Sequence, residues 1–358
     1  MSRLACFMIV ILTGAAGCAG SKREVSRFPM LTPKRVISSG EEARFAIGYD
    51  AAHDRLAIGK TCQLADGGGW EPGVVIIDFH TGRLTARLPV PPKRREQVRR
   101  PTGVIFSPSG DRLAVLWENG IDIWDANKNS VLYSITREGV MCKDAVFSHD
   151  GKYLFSSAGW PEWTVRRLDM KTREEVAVFR IGEDGLPGSP DYLRLSPDGV
   201  TLAISGHRGV VLLDLRGPGV AGRIEAQTLS PNACTFSSDG TRLATGSGTG
   251  VELWNVRSRA RLAAMPTDGF EANAIAFSPN DRFLAVGGMY AWGMPGVVEV
   301  FGLDDNKALA TFTCHTNSLA TVTFLPRSQE FFTTGFGGDV KVWHLGQWLG
   351  SGQKVNSR

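Results

Sequence analysis

One phrase recurs along this 358-residue chain at a nearly constant interval. It opens on an aromatic or aliphatic residue, usually followed by Ser, and turns through Pro or Asp and Gly. A basic residue, Leu and alternating apolar side chains follow. Copies begin at Tyr49, Phe106, Phe147, Leu195, Phe236, Phe277 and Phe324, so the steps are 57, 41, 48, 41, 41 and 47 residues. A base period near 41 with a few insertions marks a repeat architecture, whose units cannot bury their faces alone and must stack on their neighbours. Each unit reads as four short strands. In the fifth these are Cys234 to Ser237, Arg242 to Thr245, Val251 to Asn255 and Arg261 to Met265, with period-2 alternation and turn residues between them. The sequence therefore predicts an all-β chain of seven four-stranded units, closed into a ring so that only short edges stay exposed.

Composition narrows the function. An apolar fraction of 42% excludes a disordered coil, and 42 Gly without a triplet period exclude a collagen-like fibre. With 40 Lys and Arg against 36 Asp and Glu, the formal charge of +4 argues against bulk nucleic-acid binding, and none is expected.

The units resemble WD40 repeats over about residues 34–345. Third strands carry that family's Trp-Asp position as Ile123-Trp124-Asp125, Leu253-Trp254-Asn255 and Val342-Trp343-His344, and as Ile77-Asp78, Leu213-Asp214 and Val300-Phe301 in worn form. The Gly-His element survives as Cys314-His315. The resemblance implies a seven-bladed β-propeller of WD40-like four-stranded blades, and in the last blade a buried structural hydrogen-bond set of His315, Thr333, Asp339 and Trp343. After Leu345 only the tail 346–358 remains, too rich in Gly, Ser and Gln to make a good strand. Lys34 to Ser38, upstream of the first copy, is expected to supply the missing fourth strand of blade 7.

The first residues read as a targeting segment. Arg3, the apolar run Leu4 to Leu12 and the small residues Ala15 to Gly17 make a signal peptide over 1–17. Cys18 follows directly and resembles the lipidated cysteine of bacterial lipoproteins, although Ala15 stands where those proteins usually have Leu. Lipid on Cys18 would hold the protein to a cell-envelope membrane, facing the periplasm or exterior, through a linker of residues 18–33. A stop-transfer anchor is the alternative. No C-x-x-C pair occurs, and Cys62, Cys142, Cys234 and Cys314 read as buried strand residues whose disulfide state stays open.

Insertions gather in two classes of connection, from second to third strand and from fourth strand to the next unit. Strand directions alternate, so both classes emerge on one end of the ring. The segments are Thr61 to Gly73 with Trp70, Ala158 to Trp163 with Trp160, Gly287 to Gly296 with Tyr290 and Trp292, Pro89 to Pro101 with Lys93, Arg94, Arg95, Arg99 and Arg100, and Gly182 to Asp191. Arg216 to Gly222 is the expected exception on the plain end. Loops displayed by a rigid scaffold are where binding concentrates, so the aromatics are candidate anchors and the basic run a candidate attractor of acidic groups. The competing reading folds each aromatic onto its own blade and leaves the basic run solvated.

Catalytic signatures are missing. The six His lack metal-site spacing, and no P-loop, G-x-S-x-G or H-E-x-x-H occurs. Gly246 to Gly250 joins two strands, so it reads as a turn with no phosphate cradle. His207, in a short connection on the elaborated end, is the one plausible site histidine. The expectation is a non-enzymatic scaffold for a protein or envelope polymer, with no cofactor and no metal. A propeller hydrolase with a channel metal and an outer-membrane assembly factor remain as alternatives.

Overall fold

Seven four-stranded antiparallel sheets form the chain, each built from one copy of the repeat. The computed structural model describes residues 32–38, 43–63, 70–91, 101–137, 140–159, 162–181, 190–206, 209–217, 219–225, 233–291 and 293–347. Blade 1 holds Ala43–Asp50, Arg55–Gln63, Trp70–Asp78 and Leu84–Pro89 in spatial order, and blades 2 to 6 repeat the arrangement in sequence. Blade 5 consists of Ala233–Phe236, Arg242–Ser247, Gly250–Asn255 and Arg261–Pro266, within two residues of the sequence expectation at each end. Signal peptide, Cys18 and most of the linker lie outside the described residues.

The recurring turn has a specific chemistry. In blade 5 the Ser237 hydroxyl donates to Asp239 (2.6 Å) and accepts the Arg242 amide (2.9 Å), while the Gly240 amide donates to the Ser237 carbonyl (2.9 Å). Ser148, Ser196 and Ser278 repeat the arrangement with Asp150, Asp198 and Asn280. Gly240 closes the turn at φ 71°, in the left-handed region where a Cβ is penalised.

No blade owns a core. Each of seven apolar clusters lies between two neighbours, which makes the ring the stable unit. The basic residue of the repeat clamps these interfaces from the turn side. The guanidinium of Arg55 donates to the carbonyls of Gly110 (2.7 Å) and Ala126 (3.3 Å) in blade 2 and lies 5.3 Å from the Phe106 ring centre. Arg242 does the same toward blade 6, donating to the Asp281 carbonyl (2.9 Å) and lying 5.6 Å from Phe277. Cation–π contact and backbone capture thus act together at one joint.

Outer strands are irregular in a regular way. In blades 1 to 6 the register of the fourth strand slips just beside the Trp-Asp position of the third, as between Leu253 and Trp254. Such bulges twist an exposed edge and discourage pairing with another chain. Leu132, Val176, Leu262 and Leu309 occupy the slipped positions and are exposed.

Blade 7 is completed by the start of the chain. Arg35–Ser38 pairs with Asp339–His344, Arg35 opposite Val342 and Ser38 opposite Asp339. Ile37, 4% exposed, enters the cluster shared by blades 7 and 1 beside Leu56, Ile77, Phe79 and Val342. Arg35 reaches across the seam, donating to the His80 carbonyl (2.8 Å) with its guanidinium 4.9 Å from Phe79.

Three expected boundaries move. Arg216 to Gly222 is not an enlarged connection, because the fourth strand already starts at Val220 and leaves the same short turn as its counterparts. Thr61 to Gly73 is mostly hairpin. Its strands run to Gln63 and from Trp70, which pair in register, and residues 64–69 between them lie outside the described residues. Gly287 and Gly288 belong to the strand Phe283–Met289, since a Cβ on Gly288 would fall 1.7 Å from the Glu271 carbonyl oxygen.

Truncating the seam tests the closure. Ile37→Ala should cost about 2–5 kcal/mol and lower the thermal midpoint by roughly 3–8 °C, whereas exposed Val36→Thr should stay within about 0.5 kcal/mol. Equal midpoints for the two variants in a melting series would refute a load on this strand.

Candidate functional site

The two ends of the ring differ in their connections. On the plain end, the turns between first and second strands and between third and fourth strands all have four or five residues. On the other end, connections range from two residues, such as Gly248 and Thr249, to the thirteen of 90–102. The first strands line a central channel of about 800 Å³, and at its mouth on this end it is lined by Pro101, Thr102, Met141 to Asp144 and Asp191.

Charge at that mouth is arranged in pairs across two blades. Lys143 Nζ meets Asp191 Oδ1 at 2.5 Å. Asp144 Oδ2 accepts from Arg194 Nη1 and from the Leu193 amide, both at 2.9 Å, and the Ser157 hydroxyl accepts the amides of Lys143 and Asp144. Tyr192 lies behind them, its phenol pushed up to about 12, first by burial and then by the charge of Asp144. Beside the pairs stands Met141, 45% exposed.

Gly159, Glu162 and Trp163 lie near Met141 in a connected set of backbone bonds. The Met141 carbonyl accepts the Gly159 amide (2.8 Å), and the Gly159 carbonyl accepts the amides of Glu162 (2.9 Å) and Trp163 (3.1 Å). Trp163 has φ 51°, an uncommon conformation for a bulky residue, and its carbonyl accepts the Ile181 amide (3.1 Å). Glu162 bonds Arg166, which shares Glu175 with Arg137 of blade 2. Arg137 also donates to Ser156 Oγ (3.1 Å). Burial acts to raise Glu175, but the two guanidinium groups outweigh it and hold the carboxyl below its usual range.

Of the predicted site residues, the structure places two loop aromatics. Trp163 is half-buried in the connected set just described, about 20 residues from Met141 in sequence yet joined to it through Gly159. Tyr290 is half-buried against the cluster between blades 5 and 6, edge-on to Phe270 at 6.1 Å, so it packs at that joint. Trp70 begins a third strand. Lys93, Arg94, Arg95, Arg99, Arg100, Trp160, His207 and Trp292 lie outside the described residues. Met141, Lys143, Asp144, Asp191 and Arg194 were not among the candidates. Their only sequence signal is position: Lys143-Asp144 and Asp191 immediately precede first strands, whose upper ends face the channel.

The expected hydrogen-bond set is partly assembled. His315 Nε2 lies 2.8 Å from Thr333 Oγ1, which accepts the Trp343 indole N–H at 2.9 Å. Asp339 makes no side-chain hydrogen bond to the other three. Blade 5 repeats the lower half of the chain, with Trp254 donating to Thr245 Oγ1 (3.0 Å). In blade 2 the equivalent position is Val115, and the buried Trp124 indole N–H has no partner among the described residues. Trp117 instead donates to the fully buried Asp122 (2.7 Å). Cys142, Cys234 and Cys314 are buried free thiols, and burial pushes Cys142 and Cys314 up to about 12. Among the described residues no group of three or more His, Cys, Asp or Glu could hold a metal ion.

The model of the WD domain, G-beta repeat, matches residues 222–255 and 306–344. The two segments are similar to that repeat in sequence. Each runs from the fourth strand of one blade through the third strand of the next, ending on Trp254-Asn255 or Trp343-His344. With the seven-bladed ring, the matches support the WD40 family, whose propellers generally mediate protein interactions. No curated protein matches the chain.

Two predictions follow from the buried polar chain. Burial first, then the Lys341 charge, depresses His315 to about 3, so the unfolded chain takes up the proton first. Its contribution is complete above the ordinary pKa of about 6.5 and is lost as pH falls toward the folded value, at about 1 kcal/mol per pH unit. Denaturant titrations between pH 7 and 4 should show this slope flattened in His315→Gln. In the second, Thr245→Val should cost about 1–3 kcal/mol by orphaning the Trp254 indole, whereas Val115→Thr should cost much less, because Trp124 can use the new hydroxyl. Matching losses in urea unfolding would contradict the indole account.

Proposed function

We propose that this chain is a non-enzymatic interaction scaffold that holds a protein or an envelope polymer on the elaborated end of the ring. In this reading it is exported and tethered to a bacterial envelope membrane through lipid on Cys18. The difference between the two ends carries the proposal. Plain-end turns are uniform in length and spend their Ser, Asp and Gly residues on their own hydrogen bonds. The elaborated end holds every long connection, the charged channel mouth and Met141, the only exposed large apolar side chain among the described residues that does not lie on an outermost strand.

The mouth suits recognition because its parts are held in place before any partner arrives. Asp144 accepts three donors from two blades, and Glu162 and Trp163 are held by bonds to Gly159, Arg166 and Ile181. Preorganised contacts lose less conformational entropy on binding than loose ones. An apolar partner side chain set against Met141 and Trp163, with polar groups around it, matches the usual anatomy of a binding hot spot. The basic run Lys93 to Arg100 would add attraction for acidic segments that weakens as salt rises.

Partner capture from envelope extract tests this reading. Replacing Met141, Trp160, Trp163 and Trp292 by Ala should weaken retention by roughly thirtyfold or more, the effect of losing about 2 kcal/mol at a hot spot. Plain-end Lys128→Ala and Lys171→Ala should retain the partner. A melting curve for each variant separates lost contact from lost folding. Equal retention by both sets would defeat the proposed face.

A further inference from the structure

The strand that closes the ring is also the first described strand, and its direction fixes where the preceding chain leaves the body. Arg35 stands opposite Val342, close to the plain-end terminus of the third strand, whereas Ser38 stands opposite Asp339 at the elaborated end. The chain therefore enters blade 7 from the plain end. Lys34 secures that entry: its amide donates to the Val342 carbonyl (2.8 Å) and its ammonium pairs with Glu330, which follows a plain-end turn.

The tether is short. Residues 19–31 separate Cys18 from the first described residue, Thr32. Thirteen residues span at most about 45 Å fully extended, and as a flexible coil about 20 Å. A six-residue strand is itself about 20 Å long. Presenting the elaborated end to the membrane would require the tether to climb the whole outer wall of blade 7. Presenting the plain end requires nothing of it.

Apolar exposure shows the same polarity. Among the described residues, nine of the ten exposed large hydrophobic residues lie on outermost strands, eight of them in the plain-end half and Val178 just past the middle of its strand. Val36, where the tether joins, is 51% exposed, and Leu84 and Leu309 lie one to two residues nearer the plain end on the flanking blades 1 and 6. The tenth is Met141, at the opposite end.

On the anchored-scaffold reading, we infer that the plain end and the adjoining outer wall of blade 7 face the lipid surface, and that the channel mouth points away from it. The lipid headgroup region is the occupant of this wall, brought there by the tether and contacted by Val36 and its neighbours. The partner face is left open to solvent by the same arrangement.

Single-site labels distinguish the two ends. Full-length chain carrying a fluorophore at Lys307→Cys, on the plain end, or at Glu118→Cys, on the elaborated end, is placed in phosphatidylcholine and phosphatidylglycerol vesicles containing brominated lipid. The Lys307→Cys label should be quenched at least twofold more than the Glu118→Cys label. Membrane-bound chain with equal or reversed quenching overturns the orientation alone. If unaltered chain fails to bind, or Cys18→Ser binds as well as unaltered chain, the lipid anchor is overturned and the orientation falls with it.

Discussion

Burial in this molecule happens between sheets and never within one. A four-stranded sheet of some 25 residues has two faces to cover, and a single chain can cover both only by placing another sheet against each. The seven clusters at the seven joints are the outcome, and Ile37 shows how strict the arrangement is. Without the closing strand the seventh joint would lose an aliphatic side chain and the Arg35 bridge to Phe79 and His80. Ring closure and core formation are therefore the same event, carried by residues more than 300 positions apart.

That coupling explains why the plain end is uniform. The turn after the first strand sits beside the joint to the preceding blade, and the Arg clamp uses its carbonyls directly, as Arg55 uses Gly110 and Arg242 uses Asp281. Lengthening such a turn would displace an acceptor and an aromatic ring together. The opposite end carries no repeated clamp of this kind; its interblade contacts, such as Lys143 with Asp191 and Asp144 with Arg194, are local to one joint. Variation is tolerated there, and a displayed surface can develop without disturbing the body.

Much of this was legible in the residues. The Ser-x-Asp-Gly phrase announces its own turn, because a hydroxyl that both donates two residues ahead and accepts five ahead leaves little freedom for anything else. Spacing then gave blade number, and the poor tail after Leu345 pointed to Lys34 to Ser38 as the closing strand. Glycine misled the reading where it served packing: Gly287 and Gly288 resemble loop residues but exist so that neighbouring chain can approach. Met141 left no trace because one exposed Met before a strand looks like any buried one. The basic residue of the repeat was visible as a pattern, yet its clamp depends on carbonyls about 40–70 residues away that only the fold brings near.

The buried polar chain of blade 7 shows how a repeat can wear without failing. Thr333 joins His315 to Trp343, Thr245 keeps the Trp half of that link in blade 5, and Val115 has dropped it in blade 2. An unpaired indole N–H costs on the order of 1–3 kcal/mol, tolerable when the same ring still fills a joint between blades. Packing therefore constrains these positions more tightly than hydrogen bonding does. The Trp-Asp position accordingly holds an aromatic or aliphatic residue followed by a turn former in most blades, while among the described residues a Thr partner for the Trp indole is present in blades 5 and 7.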